Sequence, residues 1–180
     1  MFYCFLAQGF EETEALAPVD ILRRAGIGVT TVGVGGKVII GSHKIPVTAD
    51  ITIDEFVCGS DMEGVILPGG MPGVKNLYAS QGVLDAVNFA NDNGLYVCAI
   101  CAAPMILGRL GIVDGKKATC FPGFEDELKG AEVTGEKVVV DGKVITSKGA
   151  GCALDFGLAI TAQALDEQTA ERVASSMQCR

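Results

Sequence analysis

A cysteine flanked by small residues is the strongest candidate for chemistry in this 180-residue sequence. Cys101 follows residues 95–100, which predict a short buried strand, and precedes residues 102–110, which predict a helix with Pro104 in its first turn. A nucleophile on such a sharp strand-to-helix turn is exposed to substrate. The N–H groups at the start of a helix favour a thiolate over a thiol. We therefore predict a strained backbone and an activated thiol at Cys101.

A glycine pair provides a second group of candidate functional atoms. Gly69 and Gly70 follow residues 64–68, an apolar run that predicts a buried parallel strand. Because these glycines have no side chains, their N–H groups can approach a substrate oxygen closely. The carboxyl ends of parallel strands meet at one edge of a sheet, so we expect this loop to lie beside Cys101.

Carboxylates near the start of the first predicted helix, which follows a strand at residues 1–7, form a third group. Glu11 and Glu12 are expected to be solvated residues of the first helical turn, where the helix dipole favours negative charge. Glu14 is followed by core-facing residues. If its carboxyl points inward, burial raises its pKa and keeps it protonated, so that it donates a hydrogen bond to a thiolate.

The seven cysteines are expected to be free thiols, which fits a reducing cytoplasm. Cys98 and Cys101 match a Cys-x-x-Cys pattern. Cys98, however, lies inside a predicted strand and points into the sheet packing, so a redox dithiol is not favoured. Cys4 is likewise expected in the core. One histidine and scattered cysteines supply no ligand set, so we predict no metal site.

Charge and hydropathy exclude several classes of protein. The net charge of −8 argues against binding to nucleic acid or to anionic membrane surfaces. No apolar run is long enough to span a bilayer, and the first residues lack the basic segment of a signal peptide. We therefore expect a cytoplasmic protein with no nucleic-acid or membrane partner.

Strand and helix patterns alternate along the chain, which predicts a flavodoxin-like, doubly wound α/β fold. In such a fold a mostly parallel sheet carries helices on both faces. The length fits one domain over residues 1–180. Predicted strands are 1–7, 29–34, 64–68, 95–100, 117–121, 137–140 and 144–146; the last two form a hairpin, and 38–40 with 45–47 form another. Predicted helices are 11–25, 80–93, 102–110, 152–165 and 167–178.

Four motifs, at residues 9–14 (GFEETE), 67–70 (LPGG), 99–104 (AICAAP) and 149–151 (GAG), together resemble the DJ-1 branch of the ThiJ/PfpI superfamily, the DJ-1/PfpI family. The resemblance implies a homodimer in which Cys101 is the nucleophile and a protonated Glu14 hydrogen-bonds it. Gly70 and Ala102 then correspond to the backbone donors around the thiol. Candidates for the lining and mouth of the pocket, in part by the dimer interface, are Gly69, Arg24, His43 and Phe121.

The sequence departs from the family pattern at two positions. Phe121 stands where many members have a histidine, so a Cys–His dyad within that loop is excluded. Ala150 stands where a proline is common. The one histidine, His43, lies in the first hairpin, and an isolated histidine is more often a surface or packing residue than a catalytic one. Proteolysis, which occurs in related members that have the histidine, is therefore not favoured.

Two classes of function use the same residues. The first is a cofactor-independent glyoxalase or deglycase, in which Cys101 attacks a 2-oxoaldehyde such as methylglyoxal or glyoxal, or an adduct of one, and Glu14 moves a proton. The second is a redox-responsive, stress-protective protein or chaperone, in which Cys101 is oxidised to a sulfinate held by Glu14. The sequence leaves both open, and turnover without a cofactor discriminates between them.

Overall fold

The computed structural model describes residues 1–179, which contain eleven strands and six α-helices. The strands are β1 (Phe2–Ala7), β2 (Val29–Val34), β3 (Val38–Ile40), β4 (Pro46–Thr48), β5 (Ile51–Thr52), β6 (Gly64–Leu67), β7 (Tyr96–Ile100), β8 (Lys117–Ala118), β9 (Glu132–Val133), β10 (Val138–Asp141) and β11 (Val144–Ser147). The helices are α1 (Glu12–Arg24), α2 (Gly73–Tyr78), α3 (Gln81–Asp92), α4 (Pro104–Arg109), α5 (Ala153–Ala164) and α6 (Glu167–Ser176).

Seven of these strands form one sheet in the order β10-β11-β7-β6-β1-β2-β5. Every neighbouring pair is parallel except β10 and β11, which form an antiparallel hairpin. The predicted flavodoxin-like, mostly parallel sheet is confirmed. β1, β6 and β7 are adjacent and parallel, so the loops at their carboxyl ends meet at one edge of the sheet.

The sheet is covered on both faces, because its strands alternate their side chains between two apolar cores. In β1, Phe5 belongs to one core and Leu6 to the other. The first core contains residues of α2, α3 and α4, and the second contains residues of α1, α5 and α6. Cys98 in β7 is fully buried in the second core, as expected for a packing cysteine.

Three short elements of the fold have no counterpart in the predicted pattern. β5 adds a two-residue parallel edge strand to β2, and β9 pairs with β8 outside the main sheet. α2 begins at Gly73 directly after the glycine loop. Each has six residues or fewer, which is too short for a periodic apolar pattern to be visible.

The predicted strand over residues 117–121 is wrong after Ala118. The strand ends there because the N–H groups of the following residues donate to partners that are not in a neighbouring strand of β8. The Thr119 N–H donates to Thr146 Oγ1 at 2.9 Å, and the Phe121 N–H donates to the Cys101 carbonyl at 2.8 Å. These bonds bring Phe121 to the turn that carries Cys101.

One apolar residue of α1 does not belong to the core. Val19, Ile21 and Leu22 are buried, and α1 packs against α5, whereas Leu16 is exposed. The three buried side chains therefore stabilise this subunit itself, and of these four apolar residues only Leu16 is available to a partner.

Candidate active site

Cys101 lies on the turn between β7 and α4 with a φ of 66°. A left-handed backbone is uncommon for a residue with a side chain and is stable only when neighbouring groups hold it. Here the Cys101 N–H donates to the Ser147 carbonyl at 2.8 Å, and the Cys101 carbonyl accepts from Phe121 N–H. The predicted strained turn is confirmed. The side chain is half-buried between the two cores.

Glu14 reaches this turn from the first turn of α1, and its side chain is almost fully buried, with 1% exposed. The Gly69 N–H donates to Glu14 Oε2 at 2.9 Å. Glu14 also hydrogen-bonds the Cys101 thiol. The structure thus brings together the loop after β6, the helix after β1 and the turn after β7.

Gly69 has to be a glycine for these side chains to meet. A β carbon at this position would lie 2.4 Å from Glu14 Oε2, 2.6 Å from Cys101 Cβ and 3.1 Å from Cys101 Sγ. Separations this short are repulsive, so any side chain would push the carboxyl and the thiol away from each other. Gly69 is therefore required for close packing, in addition to supplying an N–H group.

Burial raises the pKa of Glu14 to about 7. Hydrogen bonds with Cys101, Gly69 and Ala150 act in the opposite direction, and the charge of Glu11 adds to the increase. A carboxyl that still carries a proton near neutral pH can donate a hydrogen bond, which an ionised carboxylate cannot. This is the environment expected for Glu14 from its position before the core-facing part of the helix.

The pKa of Cys101 is raised to about 12, first by burial and then by the charge and hydrogen bond of Glu14, while the N–H groups of Ala102 and Gly70 act in the opposite direction. This differs from the expected stabilisation of the thiolate by a helix N-terminus. α4 has only six residues, and the thiol is half-enclosed, so the helix dipole does not dominate.

The two side chains titrate as one unit because two adjacent negative charges in an enclosed site repel each other. While Glu14 is ionised, it holds the proton of Cys101 on the sulfur. When Glu14 carries the proton, the repulsion disappears and its O–H can donate to the thiolate. The nucleophilic state of the pair is therefore the one in which Glu14 holds the proton.

Glu12 is buried, with 6% of it exposed, so the expectation of a solvated carboxylate is wrong for this residue. Its Oε1 accepts from the His43 N–H at 2.8 Å, and its Oε2 lies 2.9 Å from His43 Nδ1. Burial by itself would raise its pKa, but hydrogen bonds from His43, its own N–H and Ile45 lower the pKa to about 2. The β3–β4 hairpin has closed over this part of α1.

Glu11 is also not a simple solvated residue. Its Oε2 accepts from the Glu14 N–H at 2.7 Å, which caps the start of α1. Its other oxygen, Oε1, lies 3.9 Å from His43 Nδ1. Glu11 therefore fixes the backbone position of Glu14, and His43 contacts the two acidic neighbours of Glu14.

Arg24 does not join this group. It lies ten residues after Glu14, so the helical rise places it about 15 Å further along α1. Its Nε forms an ion pair with Asp20 at 2.7 Å. Phe121, by contrast, borders the site and is 47% exposed. The structure therefore places Phe121 beside Cys101, His43 against Glu12 and Glu11, and Arg24 towards the other end of α1.

Comparison with known proteins identifies the group to which this arrangement belongs. The sequence model of the DJ-1/PfpI family matches residues 2–163. This chain belongs to the DJ-1/PfpI family. It is 37% identical over 175 residues to Protein DJ-1alpha of Drosophila melanogaster, covering 96% of this chain and 81% of that protein. The family resemblance in the four motifs is thereby confirmed.

Solved structures of other family members have the same fold. Drosophila melanogaster DJ-1beta superposes with a TM-score of 0.93 at 32% identity, covering 98% of this chain and 96% of that one. Toxoplasma gondii DJ-1, described as oxidized, superposes with a TM-score of 0.91 at 28% identity, covering 98% of this chain and 97% of that one. Within residues 1–179, helices of the length and apolar character needed to cross a membrane do not occur.

Sequence reasoning missed the contact between Glu12 and His43. The acidic run 11–14 and the isolated histidine were both visible, but 30 residues separate them. A signal was present in Gly41: a β carbon there would lie 2.2 Å from Glu12 Oε1, so the glycine allows the hairpin to close on the carboxylate.

Proposed function

We propose that this protein is a cofactor-independent glyoxalase or deglycase that acts through Cys101 on 2-oxoaldehydes such as methylglyoxal and glyoxal, or on their adducts. The observation that carries the proposal is the buried Glu14 carboxyl, with its raised pKa, in contact with a cysteine on a strained turn. Addition of a thiol to an aldehyde needs a nucleophile, a proton donor and donors to developing charge. Cys101, Glu14 and the N–H groups of Gly70 and Ala102 supply them.

In the first step, Cys101 Sγ forms a bond to the aldehyde carbon. The electron pair of the C=O bond moves to the aldehyde oxygen, which takes the proton from Glu14. The product is a hemithioacetal and Glu14 is left as a carboxylate. Its buried position makes that carboxylate a stronger base than one in water.

In the second step, Glu14 removes the proton from the carbon that carries sulfur, and a proton returns to the neighbouring carbon. The hydroxyl proton on the oxygen of the first carbon moves to the oxygen of the second, so that the first C–O bond becomes a carbonyl and the second a hydroxyl. The first carbon is thereby oxidised and the second reduced, so no external oxidant or reductant is consumed. Water then cleaves the resulting thioester, releasing a 2-hydroxy acid and restoring the Cys101 thiol.

Turnover of methylglyoxal by the purified protein, without added cofactor, tests the proposal. We expect lactate to form and Cys101→Ser to abolish its formation. Cys179→Ser is the matched control, because Cys179 is also a half-buried free thiol but lies at the end of the chain. Wild-type protein that consumes methylglyoxal no faster than Cys101→Ser contradicts the proposal.

We also propose that the protein is a homodimer, with an interface beside α1. Exposed apolar side chains occur together on α1 and the adjoining hairpin: Leu16, Val38, Ile40 and Ile45. Glu12 binds the backbone of His43 and Ile45, so helix and hairpin form one surface. Light scattering of the wild type at micromolar concentration should give the mass of a dimer, and Ile45→Asp should lower the measured mass towards that of a monomer. Leu165→Asp, at another exposed apolar residue, is the control; a monomeric wild type contradicts the proposal.

A second candidate function is redox sensing through a sulfinate at Cys101. The related Toxoplasma gondii DJ-1 structure is described as oxidized, which favours this alternative. In this chain, Cys4, Cys98 and Cys120 are buried, and burial raises their pKa. Cys101 is more accessible and has N–H donors for sulfinate oxygens. Mass mapping after mild peroxide should show Cys101 modified first. Cys179 is half-buried; if it or Cys58 gains oxygen first, this candidate is wrong.

A further inference from the structure

Phe121 has an exposed aromatic ring and lies beside the turn that carries Cys101. The Phe121 N–H donates to the Cys101 carbonyl at 2.8 Å, which fixes the backbone of Phe121 against the turn. Its side chain is 47% exposed, although a phenyl ring is normally buried when packing permits. Residues 119–121 leave the strand and reach the turn, and this path of the chain places the exposed ring beside it.

Distances from Gly149 show where the ring lies. A β carbon on Gly149 would lie 3.3 Å from Phe121 Cδ2 and 4.0 Å from Glu14 Oε1. The edge of the phenyl ring and the proton-carrying carboxyl therefore border the same small space. A second exposed apolar side chain, Met71, directly follows Gly70, whose N–H group approaches the thiol.

The charges around this space favour a substrate without negative charge. Glu14 borders this space, and the charge of Glu11 is close enough to act on Glu14. Lys148 precedes Gly149 in sequence, and its Nζ donates to the Gly135 carbonyl at 3.2 Å. An anionic group on the substrate would meet these carboxyls, whereas an apolar group would meet the phenyl ring.

We propose that Phe121 makes this site selective for 2-oxoaldehydes that carry an uncharged aromatic group, with phenylglyoxal as the probe. This rests on the proposed glyoxalase function and names its substrate class. Phenylglyoxal and water give mandelate by the steps described above, so atoms and electrons balance as they do for methylglyoxal. Contact between the two rings, edge to face or offset, stabilises bound substrate relative to methylglyoxal.

The test compares kcat/KM for phenylglyoxal and methylglyoxal in wild type, Phe121→Ala and Phe121→Leu. We expect Phe121→Ala to lower the phenylglyoxal-to-methylglyoxal ratio by about tenfold, and Phe121→Leu to lower it less. Using the ratio removes the intrinsic difference in reactivity between the two aldehydes. Leu165→Ala, which truncates an equally exposed apolar side chain elsewhere, should leave the ratio unchanged.

A second measurement does not depend on turnover. The rates at which 2-chloroacetophenone and chloroacetone alkylate Cys101, followed by peptide mass mapping, report the same aromatic preference. The inference is overturned if Phe121→Ala leaves both ratios as in wild type. If wild type turns over neither aldehyde but its alkylation ratio falls in Phe121→Ala, the glyoxalase proposal fails and the aromatic preference of the site stands.

Discussion

Glu12 and Glu14 lie two residues apart at the start of α1, and both are buried, yet their pKa values move in opposite directions. Glu12 accepts hydrogen bonds from backbone N–H groups of the hairpin and from His43. Glu14 has the Gly69 N–H and the Cys101 thiol, and these do not offset its burial. Burial alone therefore does not set the protonation of a carboxyl; the number and charge of its donors decide it.

The difference separates two tasks on one helical turn. Glu12 stays ionised and fastens the β3–β4 hairpin to α1, while the raised pKa of Glu14 allows its carboxyl to carry a proton near neutral pH beside Cys101. Glu11 precedes both residues and caps the helix, so that its side chain holds the backbone of Glu14.

The largest effect is expected on the reactivity of Cys101. At pH 6 Glu14, with its pKa of about 7, is mostly protonated and can donate to the thiolate. Glu14→Leu removes this donor, so alkylation of Cys101 by iodoacetamide at pH 6 should slow by about 10- to 100-fold, because one pKa unit changes the thiolate fraction tenfold. Glu14→Gln retains an N–H donor and should show a smaller loss. Glu12→Gln should change the rate less than about twofold. Faster alkylation in Glu14→Leu would mean that ionised Glu14 governs the thiol.

Stability at alkaline pH should respond to Glu14 next. The folded pKa of about 7 lies above the ordinary value of 4.5, so the contribution of Glu14 to stability is complete below pH 4.5 and is lost as pH rises through 7. Glu14→Gln should therefore raise the free energy of unfolding at pH 8 by about 1–3 kcal/mol and leave it nearly unchanged at pH 5. Urea denaturation at both pH values measures this; a gain of equal size at both contradicts it.

Glu12 should show the opposite dependence on pH. Its folded pKa of about 2 lies below 4.5, so its contribution is present above pH 4.5 and is lost as pH falls from 4.5 towards 2. Glu12→Gln should lower the free energy of unfolding at pH 7 by about 1–2 kcal/mol, since charged hydrogen bonds are lost. The deficit should shrink below pH 3. A deficit that is independent of pH would show that shape, and not charge, fastens the hairpin.

The smallest effect is expected for His43. Its ring is exposed, and the hydrogen bond with Glu12 raises its pKa, so its contribution is present below the ordinary pKa of 6.5 and is lost as pH rises above the folded value. His43→Gln should lower Tm by less than about 2 °C at pH 6 and by less at pH 9. Cys101 alkylation should be unaffected; a slower rate would place His43 in the site.

Sequence alone was sufficient where the signal is local. Residues 95–100, Cys101 and Pro104 predict a strand, a sharp turn and a helix from adjacent positions, and the structure has β7, the turn with positive φ and α4 there. The alternating pattern likewise predicts β1, α1 and β2 to within a residue or two. Loops at the carboxyl ends of parallel strands meet at one edge of the sheet. For that reason the sequence could place Glu14, Gly69 and Cys101 together.

Tertiary structure alone decided the protonation states and the surroundings of the thiol. Glu12 is buried because a hairpin about 30 residues further along the chain folds over it, and no local pattern encodes that contact. Phe121 reaches the turn because backbone bonds to Thr146 and Cys101 replace a strand ladder. A pKa depends on every donor and charge within a few ångströms, and the folded chain brings those groups from distant positions.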